Sequence, residues 1–137
     1  MKIVLDTNVL VSAFLKPGSK PAKILRLALQ GEIQIIVNEE MLSEYTEVLG
    51  RPKFDLEAQR VKTILEMVRL KGLHAPALAT SLGLPDSKDE AFLEAALATK
   101  ADALVTGNKS HFPKALCRGQ TVWSPEEFLR ELGNRYS

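Results

Sequence analysis

The sequence predicts an α/β protein, a three-layer α/β/α sandwich with a mainly parallel central sheet. Two observations predict it. Residues 2–5, 33–37 and 103–106 are short, nearly continuous apolar runs, the pattern of strands buried on both faces rather than one. Those runs alternate with stretches whose apolar residues recur at helical spacing, an order that builds a parallel sheet through helical crossovers. A length of 137 residues suits one domain, spanning 1–137, with a full-sized core.

Each element follows from local signals. Residues 2–5 are the first strand. Val9, Leu10, Ala13 and Phe14 fall at helical spacing over 8–15, and Pro17-Gly18 ends that helix. Ser19 starts a second helix with Pro21 in its first turn, closed by Gly31. Residues 33–37 form the next strand. Asn38 can N-cap a helix to residue 49, and Gly50 and Pro52 stop it. Another helix spans 56–70, stopped by Gly72. Residues 72–87 are punctuated by Pro and Gly and read as a loop with a brief edge strand near Leu73. A helix covers 88–99, entered through a capping box with Ser87 as N-cap and Glu90 three residues on. Residues 103–106 are a strand, Gly107-Asn108 a turn, and 121–123 a last short strand. Ser124-Pro-Glu-Glu127 is a second capping box, with Pro at the first helical position, and opens the C-terminal helix.

Composition narrows the function. Apolar residues at 45% and charged residues at 26% are ordinary values for a soluble globular protein. The formal net charge is +1, so nucleic-acid binding would need a local patch rather than a global field. Cys117 is the only cysteine, which rules out an internal disulfide or a cysteine-rich zinc site and fits a reducing, cytoplasmic setting. Asp6 interrupts the first apolar run too early for a signal peptide. No apolar segment approaches the roughly 18 residues of a membrane span.

Several polar residues stand in costly places. Asp6 directly follows a buried strand, and Thr106-Gly107-Asn108 follows another; in open α/β sheets sites form beyond such strand ends. Glu44 lies on the flank of the stripe made by Met41, Leu42, Tyr45, Val48 and Leu49. It is the carboxylate of that helix best placed to reach inward. Asp89 precedes Phe92 and Leu93 by three and four residues, and so shares their apolar face. Each has an ordinary explanation. Asp6 can cap the following helix, Asp89 can favour a helix dipole, and Glu44 can be a solvated helix residue. Asp86 can be a loop or cap residue, and Asn108 a turn residue. Together they read differently, because carboxylates turned inward repel each other unless a divalent cation lies between them. Hard oxygen donors with no Cys or His ligand set point to Mg²⁺ or Mn²⁺.

Three fragments, IVLDTNVLVSAF, EEMLSEYTEVLGRPKF and DSKDEAFLEAALATKADALVTGNKSHFP, occur in this order over nearly the whole chain. They resemble the PIN-domain family, and in particular its VapC-like members, toxin components of type II toxin–antitoxin systems. The resemblance implies a parallel-sheet α/β/α fold and metal-dependent cleavage of RNA. It implies that Asp6, Glu44 and Asp89 are the catalytic acids that hold Mg²⁺ or Mn²⁺. Many relatives carry a fourth acid where this chain has Asn108, which brings an oxygen but no charge; Asp86, near Asp89, is the candidate replacement. Thr7 and Asn8 belong to the DTN-like opening and would hold Asp6 in place, as Thr106 would the Asn108 turn. A cognate antitoxin, self-association as a homodimer, and an apolar groove on the helices at 39–49 and 56–70 are also implied.

The expected chemistry is phosphodiester hydrolysis by metal-activated water. Cys117 and Ser110 have no base partner in sequence, so a covalent nucleophile is not indicated. Lys16 and Lys20, with Lys23 and Arg26, and Lys109 with Lys114 are candidate phosphate contacts; an ordinary solvated surface accounts for most of them equally well. His74 and His111 are weak candidates for a general acid; His111, in NKSHFP close to the site turn, reads better as a structural or substrate-side residue. Aromatics are 6% of the chain, too few for an extended base-stacking platform. Three readings stay open: a ribonuclease toxin, an RNA-processing nuclease of the same chemistry, and a catalytically weak module that binds RNA or a protein. A haloacid-dehalogenase-type phosphatase would want an Asp at position 8, where this chain has Asn.

Overall fold

In the strand KIVL (β1, Lys2–Leu5), Ile3, Val4 and Leu5 are all buried. Successive strand residues point to opposite faces, so both faces of the sheet are covered. The computed structural model, which describes residues 1–76 and 82–136, shows what covers them. After β1 come helix α1 (Thr7–Leu15), helix α2 (Lys20–Leu29), strand β2 (Gln34–Val37), helix α3 (Glu39–Leu49) and helix α4 (Ala58–Lys71). Strand β3 (Leu73–His74), helix α5 (Glu90–Thr99), strand β4 (Ala103–Val105), strand β5 (Val122–Trp123) and helix α6 (Pro125–Tyr136) complete the order. Short 3₁₀ turns lie at Pro52–Phe54, Ser87–Asp89, Lys109–His111 and Lys114–Leu116.

The strands are ordered β3-β2-β1-β4-β5, and every pairing is parallel. Parallel neighbours need crossovers, and the helices supply them. Helix α5 packs on β1, β2 and β4, while α4 packs on β2 and α6 on β4 and β5. Register places Leu5 opposite Val105, so the residues after both strands emerge side by side at one edge. This is the α/β/α fold expected from the sequence.

Local signals act largely as read. Ser19 Oγ accepts from the Ala22 amide (3.2 Å) and Asn38 Oδ1 from the Met41 amide (2.8 Å). Ser124 and Glu127 exchange both capping bonds, at 3.1 and 2.9 Å. The edge strand near Leu73 is β3. Gly72 before it is held by close backbone approach: a Cβ there would lie 2.7 Å from the Val68 carbonyl oxygen and 2.9 Å from that of Ile35.

Some details differ: α5 begins at Glu90 rather than 88, because Ser87–Asp89 forms a 3₁₀ turn. Helix α4 begins at Ala58 rather than 56, because Pro52–Phe54 forms its own turn, closed by Asp55 in the left-handed region (φ 48°). The capping box of Ser87 and Glu90 does not form. Asp86 caps instead, its Oδ1 accepting from the Lys88 amide at 2.9 Å, and Glu90 Oε2 accepts from the Leu82 amide at 3.1 Å. An Asp one residue earlier offers a tighter local turn, and the returning loop brings a nearer donor to Glu90. Within the expected 72–87 loop, residues 77–81 lie outside the described residues. No described helix is long and apolar enough to cross a membrane.

Candidate active site

Asp6 follows β1 and N-caps α1, its Oδ1 accepting from the Thr7 amide at 2.8 Å. The cap leaves Oδ2 to face β4, where it accepts from Thr106 Oγ1 at 2.7 Å and from Asn8 Nδ2 at 3.3 Å. Asn8 in turn accepts from the Gly107 amide at 3.0 Å. A Cβ at Gly107 would meet Asn8 Oδ1 at 3.3 Å, so a glycine keeps that approach open. The ends of two strands are thereby tied through Asp6, Asn8 and Thr106. Capping and site-building are one arrangement. Burial pushes the Asp6 carboxyl above its usual range, against the lowering effect of the Thr106 and Thr7 hydrogen bonds and of His111.

Helix α3 brings in Glu44, half-buried, whose Oε2 accepts from the Thr7 hydroxyl. The next residue, Tyr45, is buried and donates to the Leu5 carbonyl at 2.5 Å. Neighbouring residues of α3 thus grip the β1–α1 junction at two points. Tyr45 was legible only as part of the apolar stripe, because nothing local signals where a buried hydroxyl will find its acceptor. Its phenol is raised well above the usual range by burial, then by the negative charges of Asp6 and Glu44.

Asp89 ends the 3₁₀ turn before α5 and is 7% exposed. Its Oδ2 is buried and has no hydrogen-bond partner among the described residues. His111 Nδ1 lies 3.7 Å from it. The carboxyl is pushed up to about 6, first by burial and then by Asp6, with Asp86 and Glu44 adding to the push and His111 opposing it. Three other carboxylates therefore act on Asp89 at this edge of the sheet.

The residue types fit a hard divalent cation. An uncompensated, buried carboxylate oxygen beside like charges is what such an ion neutralises. Among the described residues no three His, Cys, Asp or Glu side chains stand close enough to grip one ion together.

The remaining predicted residues divide. Asp86 is exposed and engaged in its cap. Asn108 Oδ1 accepts from the Ser110 amide (3.2 Å) and hydroxyl (2.5 Å), while Nδ2 stands 3.1 Å from His111 Nε2. The turn occupies its side chain. Lys109 is ion-paired with Glu127, whose carboxyl is drawn down to about 2, chiefly by that contact. Lys16 is exposed at the far end of α1, about 15 Å along the helix from Asp6 at 1.5 Å per residue. Lys20 is exposed at the start of α2. His74 bonds the Arg69 carbonyl at 3.0 Å on the opposite edge strand. Cys117 is buried, its thiol donating to the Phe112 carbonyl at 3.4 Å.

Beside Glu44 a cleft of about 700 Å³ opens between α3 and α5, lined by Glu40, Ser43, Glu47, Lys88 and Phe92 among others. Residues 2–110 match the family described as PIN domain, a span that includes Asp6, Glu44, Asp89 and Asn108. The chain belongs to the PIN domain family. PIN domains are generally nucleases. No curated protein matches the sequence significantly. Among solved structures, this PIN domain is similar to a chain of FitAB bound to an IR36 DNA fragment. There the identity is 16%, the TM-score 0.62, and 90% of this chain and 94% of that one are covered. It is also similar to a chain of FitAcB from Neisseria gonorrhoeae, with 17% identity, TM-score 0.62 and coverage of 90% and 98%. A chain of VapBC2 from Rickettsia felis, bound to a DNA fragment from their promoter, gives 15% identity, TM-score 0.58 and coverage of 90% and 98%. At these identities the likeness is one of fold. The PIN match ends at residue 110, so β5 and α6 lie beyond it.

Proposed function

We propose that this PIN domain is a metal-dependent endoribonuclease, the toxin of a toxin–antitoxin pair. The observation that carries the reading is Asp89 Oδ2, buried with no hydrogen-bond partner among the described residues, its carboxyl driven up in pKa first by burial and then by Asp6, with Asp86 and Glu44 adding to the push. A buried, unpaired carboxylate oxygen beside like charges calls for a partner, and a cation is one that also offsets the charge. Asp6, Glu44 and Asp89 would hold Mg²⁺ or Mn²⁺, with waters completing the shell and Asp86 at the margin. The bound cation would supply a hydroxide near neutral pH and offset charge on the phosphate. Asn8 and Thr106 hold Asp6 in one rotamer, and Thr7 holds Glu44. His111, between Asp89 and Asn108, stands where a substrate phosphate would approach.

An antitoxin partner is supported by a groove of about 450 Å³ between α3 and α4, lined by Leu42, Leu49, Leu56, Val61 and Leu65. An amphipathic segment seats its apolar side chains in such a groove. The neighbours FitAB and VapBC2 are two-component assemblies by name. A second reading, a catalytically weak RNA- or protein-binding module, is favoured by one observation: the turn consumes the side chain of Asn108.

Cleavage of a labelled RNA pool with Mg²⁺, Mn²⁺ or EDTA, beside Asp6→Asn and Asp89→Asn, decides. Cutting that needs metal and is lost in both variants is expected. Folded protein that cuts nothing in either metal would move the assignment to the binding module.

A further inference from the structure

A cavity of about 490 Å³, lined by Lys109, Phe112, Lys114, Gln120, Trp123 and Glu127 among others, is not used by the proposed chemistry. We propose that it is a nucleobase pocket, which receives a base of the RNA strand next to the phosphate at Asp6 and Asp89. The inference rests on the ribonuclease reading and deepens it by assigning substrate recognition.

Placement is the first argument. The Thr106 amide donates to the Trp123 carbonyl at 2.9 Å, so Trp123 sits one strand over from the residue that bonds Asp6. Neighbouring strands are about 4.8 Å apart, within reach of one nucleotide step. His111 faces Asp89 and the next residue, Phe112, lines the cavity, so one short peptide forms a wall of both.

Chemistry is the second. Trp123 is half-buried and its ring is braced from behind by Phe128, with centroids 6.5 Å apart, which gives a fixed face for stacking. Gln120 spends its amide donors on the carbonyls of Ala101 and Thr121, so what it can offer a ligand is an acceptor for the N–H edge of a base. Glu127 neutralises Lys109 at the rim, whereas Lys114 has no ion-pair partner among the described residues and remains for a flanking phosphate. An aromatic face, an acceptor and one free cation suit a base with its phosphate better than an aliphatic ligand. The cavity lies within the usual range for small-molecule sites, roughly 300–1,000 Å³. Few aromatics exclude a platform but not one pocket.

Trp123 is the only tryptophan, so its emission reports on the pocket alone. The protein is titrated in EDTA, where cutting is blocked, with a short RNA and with an abasic strand of equal length. Binding is read in parallel by anisotropy of the labelled strands. The expected result is saturable quenching by about half or more with the RNA, and little with the abasic strand. Lys114→Ala should weaken RNA binding about fivefold and lower the salt slope by about one, while Lys53→Ala leaves both unchanged. RNA binding without quenching, and unaffected by Lys114→Ala, would overturn the pocket and leave the ribonuclease reading standing. Quenching of equal size by both strands would overturn it too. Absence of any RNA binding would sink both.

Discussion

Asp89 is the residue whose environment is least like its chemistry. Its carboxyl is held near 6 rather than 3.8, so the folded chain binds this proton more tightly than the unfolded chain. The associated stability is therefore fully present below about pH 4 and is lost as pH rises through about 6. In EDTA, Asp89→Asn should raise stability at pH 8 by about 1–2 kcal/mol relative to the wild type, and the gain should shrink by pH 5. Thermal melts at the two pH values check this. Added Mn²⁺ should stabilise the wild type and not the variant. A second residue-scale prediction concerns Thr7, whose hydroxyl donates to Glu44. Thr7→Val should weaken Mn²⁺ binding by about 10–100-fold in a calorimetric titration while leaving the melting temperature nearly unchanged. The inward acids were legible because each broke a local rule: Asp6 after a buried strand, Asp89 on an apolar face. Tyr45 broke none, and its bond to Leu5 is a tertiary event.

At the scale of elements, the informative unit is the start of α3. Asn38 caps the helix through Met41, and its amide donates to the Ala91 carbonyl of α5 at 3.4 Å. One side chain thus sets where α3 begins and how it sits against the helix that follows Asp89. Asn38→Ala should cost about 1–2 kcal/mol in urea unfolding. Because α3 carries Glu44, the same change should weaken Mn²⁺ binding, and a serine cap should restore stability better than metal affinity. Caps were the most legible features of the chain, since Ser19, Asn38 and Ser124 each act within three residues of themselves. The box at Ser87 and Glu90 was misread for the opposite reason. Glu90 found the Leu82 amide, a donor supplied by a folded-back loop that no local pattern announces.

Across the whole molecule, the sheet supports the site by lying parallel and covered on both faces. Leu104 of β4 is fully buried, and Leu104→Ala should cost about 2–5 kcal/mol. Equilibrium unfolding checks this, with cleavage per folded molecule expected to stay near wild type. The sequence by itself determined the alternation of strands and helices, the caps and the acids that face inward. Those depend on periodicity and on contacts a few residues long. Only the tertiary structure decided that β4 lies beside β1, so that Thr106 meets Asp6 across a separation of 100 residues. It also decided that Glu127 takes Lys109 out of the basic rim, and that Trp123 stands beside Thr106. These pairings follow from strand order and crossover packing, which gather residues from distant segments at one edge, and no local pattern encodes which segments will meet.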